Sequence, residues 1–370
     1  MGRPDDAPRG RVSGPTPGLR SGAVPAASAT VPGSVLFTAV RNEAPFLVEW
    51  IAYHKIIGFE RIIVFANASD DGTEALLETL AAAGEIEYHY HEPPEGVSAQ
   101  GNAARIANDL RLIPDGAVTI WLDADEFLNV RVGTGMVGDL IARLGGVQGI
   151  LINWRCFGTA GARHFAGRLI SETYTRASRR RWAENRFIKT LFLYEKRTAV
   201  FSELNAHRPQ LAKDQFQLGD FLNGMGRPLS PNRRNLQWTL SDVYLRGGYV
   251  GDADTGYRLA QINHYAVRAM DSFLLKKARG SGMSKTGRNP VRRHTNDFFR
   301  NFDRNDVEET SILRHEAATT SEMARLRALP GVATAEFEAL HRTAAMIAVI
   351  PPEEFASLAG EPLPEAAEPR

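Results

Sequence analysis

Cysteine is nearly absent from this chain: Cys156 stands alone among 370 residues. One thiol forms no intramolecular disulfide and builds no thiolate metal site, which suits a reducing compartment and leaves packing as the role of Cys156. Long apolar runs are missing too. Nothing approaches the ~18 consecutive apolar residues of a membrane-spanning helix, and the N-terminus lacks the apolar stretch of a secretory signal, so the expected location is the cytoplasm. An excess of one charge is also lacking, since 44 Lys and Arg against 43 Asp and Glu give a net +1. So small a charge projects no broad field toward nucleic acid or membrane. What is present is ordinary globular composition, 43% hydrophobic and 24% charged. The chain is long enough for about two domains at roughly 150 residues each.

Residues 1–33 are dense in Pro, Gly, Ala and Ser without apolar periodicity and are expected to form a disordered leader. Residues 351–370 carry Glu353, Glu354, Glu361, Glu365 and Glu368 among prolines and alanines and are expected to form a disordered acidic tail. Between them one domain is expected over 34–315, in two halves at 34–153 and 154–315, followed by C-terminal helices at 316–350. In the first half, short apolar runs at 35–40, 61–66, 86–90 and 117–122 alternate with helical patterns at 45–57, after Asp71-Gly72, and from about Ser98 to Leu112. The fold class is α/β, a Rossmann-like, mostly parallel sheet flanked by helices. The second half is mixed, with β-like runs at 169–175 and 187–194 and a polar, loop-rich stretch to about Arg246. Helical patterns return from Asp271, near 296–302, and at 320–328 and 334–350.

In an open α/β sheet ligands bind beyond the carboxyl ends of the strands. Three such ends are polar here: Arg41-Asn42-Glu43, Asn67-Ala68-Ser69-Asp70-Asp71-Gly72, and Asp123-Ala124-Asp125-Glu126. The last places three carboxylates within four residues at the end of an apolar strand, a concentration of negative charge that wants a cation. Oxygen ligands without thiolates favour Mg²⁺ or Mn²⁺, and Mg²⁺ is usually shared with substrate phosphates, which points to a nucleoside diphosphate. Helix capping or a solvated turn is the competing reading; it leaves unexplained why three strand ends are polar together. For Asn67 to Gly72 the two readings stand level, because Asp71-Gly72 is also a good turn.

In order and spacing, these residues resemble a bacterial family-2-type glycosyltransferase of the GT-A fold, in the branch similar to eukaryotic proteins once grouped as a domain of unknown function. The resemblance runs from Val35 to Arg314. It includes the three strand ends, with Thr73 after the second and Phe127 after the third. It also takes in Glu49-Trp50-Ile51-Ala52-Tyr53-His54, Ile57-Gly58, Trp154, Phe157-Gly158, Asn263-His264-Tyr265, Ser272-Phe273 and Lys276. It implies that Asp125 and Asp123 engage a divalent cation, Mn²⁺ or Mg²⁺, with Asp123 also on the ribose and His264 as a further metal contact. Arg41, Asn42 and Glu43 would hold the nucleotide, and Asn67, Ser69 and Asp70 would approach base and ribose. An inverting transfer needs one carboxylate base, for which Glu172, Glu184 and Glu203 are all candidates. Glu126 either joins the catalytic group or anchors the Arg41 loop by a salt bridge.

The expected function is therefore metal-dependent transfer of a sugar from a nucleotide-sugar donor, foremost a UDP-sugar, to a hydroxyl of a surface-glycan or glycolipid precursor, a step of polysaccharide biosynthesis. The alternatives are a nucleotidyltransferase acting on a sugar phosphate and a non-catalytic glycan- or anionic-lipid-binding protein. Seven basic residues and no acid lie between Lys276 and Arg293. They would close over the donor diphosphate, bind an anionic acceptor, or rest on the inner membrane surface at about 1 kcal/mol each; a solvated loop is the plain reading. Gly280 to Thr286 only faintly resembles a phosphate-binding loop, since Ser284 precedes Lys285 and no apolar strand leads into it. Arg176, Arg179, Arg180, Arg181 and Arg186 surround Trp182, but a neutral chain with no recognisable module makes nucleic acid an unexpected partner.

Overall fold

The first half alternates strand and helix: β1 (Val31–Val40), α1 (Ala44–Ile56), β2 (Phe59–Ala66), α2 (Thr73–Ala82), β3 (Glu87–Tyr90), α3 (Ala99–Asp109) and β4 (Val118–Trp121). The second half is strand-rich. It runs through β5 (Glu126–Val130), α4 (Val137–Ile141), β6 (Gly149–Cys156), α5 (Ile170–Thr173), β7 (Arg176–Ala177), β8 (Ile188–Leu193), β9 (Ala199–Ser202), β10 (Asn205–Leu211), β11 (Phe221–Leu222), α6 (Arg233–Leu240) and β12 (Ala260–His264). The chain closes with α7 (Met270–Arg279), α8 (Asn296–Phe302), β13 (Val307–Glu308), α9 (Glu316–Arg327), α10 (Val332–Ala348) and α11 (Pro352–Ala359). These elements come from a computed structural model that describes residues 31–240, 248–280 and 294–361.

Among the described residues nine strands form one mostly parallel sheet in the order β3-β2-β1-β4-β8-β6-β12-β5, with β11 beside β6. Strand side chains alternate between two cores, as a period of two requires. Leu36, Val40, Ile62, Val64 and Ile120 face α1 and α2, where they meet Leu47, Trp50, Ile51, Leu76 and Leu80. Val35, Phe37, Ile63, Phe65 and Trp121 face Ala103, Ala104 and Ala107 of α3. Because α1 and α3 leave the sheet on opposite faces, the crevice lies between the carboxyl ends of β1 and β4, the switch point at which such sheets bind ligands.

β5 is the last strand of the sheet and its outward backbone groups are taken by side chains. Trp50 Nε1 donates to the Glu126 carbonyl at 2.9 Å, Tyr53 Oη to the Leu128 carbonyl at 2.8 Å, and the Leu128 amide to His54 Nε2 at 3.3 Å. Arg314 donates to the Val130 carbonyl. His54 Nδ1 lies 2.8 Å from the Trp50 carbonyl, which fixes the tautomer, and burial drives its imidazole down to about 3, so it stays neutral. The Glu49 to His54 stretch singled out in the sequence therefore grips the strand that follows the acidic turn.

Several expectations are corrected. Val31 to Gly33, expected in the leader, already belong to β1; residues 1–30 lie outside the described residues. Within the run expected as β-like at 169–175, residues 170–173 are helical, because Glu49 accepts from the Ile170 and Ser171 amides at 2.6 and 3.1 Å and caps α5. The polar stretch before Arg246 contains the β9–β10 hairpin. The tail is not without structure over its first part. α11 buries Ala356 and Leu358, and its Glu354 pairs with Lys277 while Ser357 binds Asn296. Residues 362–370 lie outside the described residues. α9 and α10 cover α1, and α10 also meets α2. No helix among the described residues is long and apolar enough to cross a membrane.

Candidate functional site

The chain turns sharply between β4 and β5, and the turn locks itself. The Glu126 amide donates to the Asp123 carbonyl at 2.9 Å, and the Asp123 amide donates to Glu126 Oε2 at 2.8 Å. Glu126 is fully buried: Trp154 Nε1 donates to its Oε1 at 2.7 Å and Lys189 Nζ lies 3.1 Å from its Oε2. Burial pushes its carboxyl up to about 8, the Lys189 ammonium opposing this only in part. The salt bridge expected from Glu126 to the Arg41 loop is thereby corrected: its partners are Lys189, Trp154 and its own turn, because a buried acid must find partners close by.

Asp123 keeps one face toward the crevice, with its side chain 31% exposed. Gln100 of α3 donates to its Oδ1 at 2.9 Å and Lys189 to its Oδ2 at 3.1 Å. Lys189 is itself wholly buried, and the two acids outweigh that burial and make it hold its proton more tightly than an ordinary lysine. Asp125 is buried and faces Lys276, an ion pair, and His264, whose Nε2 is 3.8 Å from Oδ2. Burial opposes its charge, yet Lys276 and then His264 overcome that and hold its carboxyl well below the usual range. Burial lowers the His264 imidazole, so it is neutral, and it packs against Trp154 with ring centroids 3.9 Å apart.

Glu43 completes the group from the end of β1. Arg268 Nη1 donates to its Oε2 at 2.7 Å, and Arg279 of α7 donates to its Oε1 and to the Arg41 and Asn42 carbonyls. Burial raises its carboxyl, but Arg279 and Arg268 prevail and lower it. Arg268 also donates to the Ala124 carbonyl at 2.8 Å, tying the acidic turn to the β1 end, and its guanidinium lies 3.6 Å from the Phe46 ring centroid. Arg268 (φ 47°) and Asn42 (φ 51°) both adopt the left-handed conformation that side chains other than glycine rarely take. Backbone strain is thus held on both sides of the crevice.

The second polar loop joins through Asn42. Its amide donates to Ser69 Oγ at 3.2 Å, its Oδ1 accepts from the Asp70 amide at 2.8 Å, and its Nδ2 reaches Asp70 Oδ2 at 3.4 Å. Ser69 Oγ donates in turn to the Asn67 carbonyl at 3.0 Å. Asp71 takes the capping role: its carboxylate accepts from the Ala44 and Thr73 amides, both at 3.0 Å, at the starts of α1 and α2. The structure therefore brings together Asn42, Glu43, Ser69, Asp70, Asp123, Asp125 and His264, with Arg41 exposed at the rim. Beside Glu43, Arg268, Lys276 and Arg279 a shallow recess opens, lined on its other side by Met346 and Ile347 of α10.

Glu172 does not join them. It lies on α5 beside Glu316, and burial with that like charge raises its carboxyl. The basic run is also corrected at its start, since Lys276, Lys277 and Arg279 face Asp125, Glu354 and Glu43 rather than a membrane. Lys285, Arg288, Arg292 and Arg293 lie outside the described residues. Of the aromatic residues in the second half, Trp154, Phe157, Tyr174 and Trp238 are buried in the cores. Three residues of the site, Gln100, Lys189 and Arg268, escape a reading of the sequence. Lys189 does leave a signal, a lone lysine in the apolar run Phe187 to Tyr194, where a buried ammonium demands an acid partner.

Four carboxylates, Glu43, Asp123, Asp125 and Glu126, thus meet four cations, Lys189, Arg268, Lys276 and Arg279. Among the described residues no three His, Cys, Asp or Glu side chains group as ligands of one metal. Asp125 and His264, with Nε2 3.8 Å from Oδ2, present a carboxylate and a neutral imidazole to one another, donor types that a divalent cation such as Mn²⁺ accepts. His264 Nδ1 is buried and unpartnered. Asp123 is turned toward Gln100 and Lys189 instead.

Residues 38–165 match glycosyltransferase family 92. The matched segment contains all three polar strand ends. A glycosyltransferase family 92 protein of Ricinus communis is 26% identical over 141 residues, 37% of this chain and 25% of its own length. One of Oryza sativa subsp. japonica is 51% identical over 43 residues, 12% of this chain and 7% of its own length. The chain thus spans a quarter or less of the curated relatives it matches. Among solved structures, Staphylococcus aureus TarS 1–349 aligns over 88% of this chain and 82% of its own at 11% identity and a TM-score of 0.30. The same fragment in complex with UDP-GlcNAc aligns over 33% of this chain and 34% of its own, at 16% identity and a TM-score of 0.26. Likeness this faint says nothing about substrate.

Proposed function

We propose that this protein is a glycosyltransferase of the GT-A type that moves a sugar from a nucleotide-sugar donor, foremost a UDP-sugar, to a hydroxyl of a glycan or glycolipid precursor. The observation that carries this reading is the Asp123–Asp125 turn at the sheet's switch point, within the segment that matches family 92. Asn42, Ser69 and Asp70 offer polar groups to base and ribose at the ends of β1 and β2, and Asp123, held by Gln100 and Lys189, presents its exposed face to the ribose. Arg268, Lys276 and Arg279 line the adjacent recess and set positive charge where a leaving diphosphate gathers negative charge.

Asp125 and His264 would hold a divalent cation, Mn²⁺ or Mg²⁺. When bound, such an ion neutralises the leaving diphosphate. In an inverting transfer the acceptor oxygen bonds to the anomeric carbon, the bond from that carbon to the diphosphate breaks, and a carboxylate takes the hydroxyl proton. Among the carboxylate candidates for base we favour Glu203. It sits in the β9–β10 turn that packs on α3 at Gly101, next to Gln100, whereas Glu172 is engaged with Glu316.

The test is thermal unfolding with UDP, GDP or CDP, with and without Mn²⁺, on the wild type and Asp125→Asn. Ligand at about a hundred times its Kd adds ~2.7 kcal/mol, a rise of several degrees. A rise with one nucleotide that Asp125→Asn abolishes, and release of that nucleoside diphosphate from the matching donor, are the expected results. No rise with any nucleotide would sink the reading, and release of pyrophosphate would replace it with nucleotidyl transfer.

A further inference from the structure

Asp123 is held at every polar atom. Its amide donates to Glu126 Oε2 at 2.8 Å and its carbonyl accepts from the Glu126 amide at 2.9 Å. Of its carboxylate oxygens, Oδ1 accepts from Gln100 Nε2 at 2.9 Å and Oδ2 from Lys189 Nζ at 3.1 Å. These two holders come from separate elements, and each is itself anchored. Gln100 stands in the first turn of α3, which Ser98 caps by accepting from the Gly101 amide at 3.1 Å. The β9–β10 turn packs on that helix start so closely that a Cβ on Gly101 would lie 2.4 Å from the Glu203 carbonyl oxygen. Lys189 belongs to β8, the strand between β4 and β6, and its side chain is wholly buried. Its ammonium also reaches Glu126 Oε2 at 3.1 Å, so it cannot turn away from the acidic turn without deserting a buried carboxylate.

An ionised carboxylate has about four acceptor positions, two on each oxygen. Gln100 and Lys189 take one on Oδ1 and one on Oδ2, which leaves a second on each, and the Asp123 side chain remains 31% exposed at the crevice. Two acceptors side by side on one rigid group match two hydroxyl donors on adjacent carbons, the cis-diol of a ribose. A 2′-deoxyribose offers only one of the two. Because the carboxylate is fixed before the sugar arrives, no rotamer freedom is lost on binding, and the second hydroxyl counts in full.

We propose that Gln100 and Lys189 are positioning residues that make the donor site selective for ribonucleotide over 2′-deoxyribonucleotide sugars, by holding the Asp123 carboxylate so that it accepts from both ribose hydroxyls. This inference rests on the transfer reading above, which supplies the nucleotide, and it narrows the donor to sugars carried on a ribonucleoside diphosphate. Losing one hydrogen bond to a charged acceptor weakens binding by about tenfold or more. A general loosening of the crevice would instead weaken both kinds of nucleotide alike and leave their ratio unchanged.

The experiment is titration calorimetry of the full chain, at fixed Mn²⁺, with UDP, GDP and CDP and with the 2′-deoxy form of each. Wild type, Gln100→Ala and Lys189→Met are compared. The wild type should bind its preferred ribonucleotide about tenfold or more tightly than the 2′-deoxy form, and in both variants that ratio should shrink toward one while binding of the 2′-deoxy form changes little. A wild type that binds both forms alike, or variants that weaken both forms equally and keep the wild-type ratio, overturns the proposal. If Lys189→Met does not fold, Gln100→Ala decides alone, since Gln100 lies at the start of a surface helix. Nucleotide binding without ribose selectivity overturns this inference and leaves the transfer reading standing, whereas a wild type that binds no nucleotide overturns both.

Discussion

Glu49 offers a sharp test of the packing around the site through pH. Its carboxylate is 5% exposed and accepts three hydrogen bonds, from the Ile170 amide at 2.6 Å, the Ser171 amide at 3.1 Å and Ser171 Oγ at 3.0 Å. Burial outweighs all three and raises it from 4.5 to about 7. The folded protein therefore binds this proton more tightly than the unfolded chain, and between those two values stability falls as pH rises. At about 1.36 kcal/mol per unit the loss is roughly 3 kcal/mol, complete above pH 7 and absent below pH 4.5. Glu49→Gln removes the titration. Urea unfolding of both proteins from pH 4.5 to 8 should show the wild type losing roughly 3 kcal/mol relative to the variant. Parallel curves for the two proteins would refute the assignment of Glu49 as a buried carboxyl that resists ionisation.

Three further substitutions probe how the site is held. Trp50→Phe removes the donor to the Glu126 carbonyl and should cost about 1–3 kcal/mol in urea unfolding; a loss below about 0.5 kcal/mol would show that water replaces the indole. Arg268→Met leaves the buried Glu43 to Arg279 alone and should destabilise by about 3 kcal/mol, measured in the same way, with unchanged stability contradicting the ion pair. Gly101→Ala places a Cβ 2.4 Å from the Glu203 carbonyl oxygen, where backbone must move. Crowding of about 1–3 kcal/mol then exceeds the ~0.9 kcal/mol that alanine gains in a helix, so calorimetry should show a lower melting temperature and a nucleotide titration a weaker response. A higher melting temperature would mean that the β9–β10 turn yields freely.

The first half of the fold was legible because three of its four strands, β1, β2 and β4, carry a short apolar run between helical patterns, and Pro45, Gly72 and Gly84 mark where helices start or stop. Local signals of that kind do not exist for α5, whose four residues are helical because Glu49, over a hundred positions earlier, caps them. The same holds for α11, which forms by burying Ala356 and Leu358 against the returning chain. At the site, Asp123 and Asp125 announced themselves by clustering. The cations that answer them did not, since Lys189, Arg268 and Lys276 come from a strand, a loop and a helix and are united only by the folded sheet. The sequence pointed to a cation for this cluster, and side chains of the same chain already meet much of that need.

The way α1 grips β5 bears on how copies of this molecule meet. A sheet's last strand usually exposes a row of free amides and carbonyls on which another chain can settle as an added strand. Here Trp50, Tyr53, His54 and Arg314 occupy that row, and a newcomer would have to break four bonds worth roughly 0.5–1.5 kcal/mol each before forming its own. The opposite margin, β3, is four residues long and guarded by the Arg61–Glu87 pair. Fibre-like strand addition is thus blocked beside the acidic turn by the same side chains that hold the turn in place.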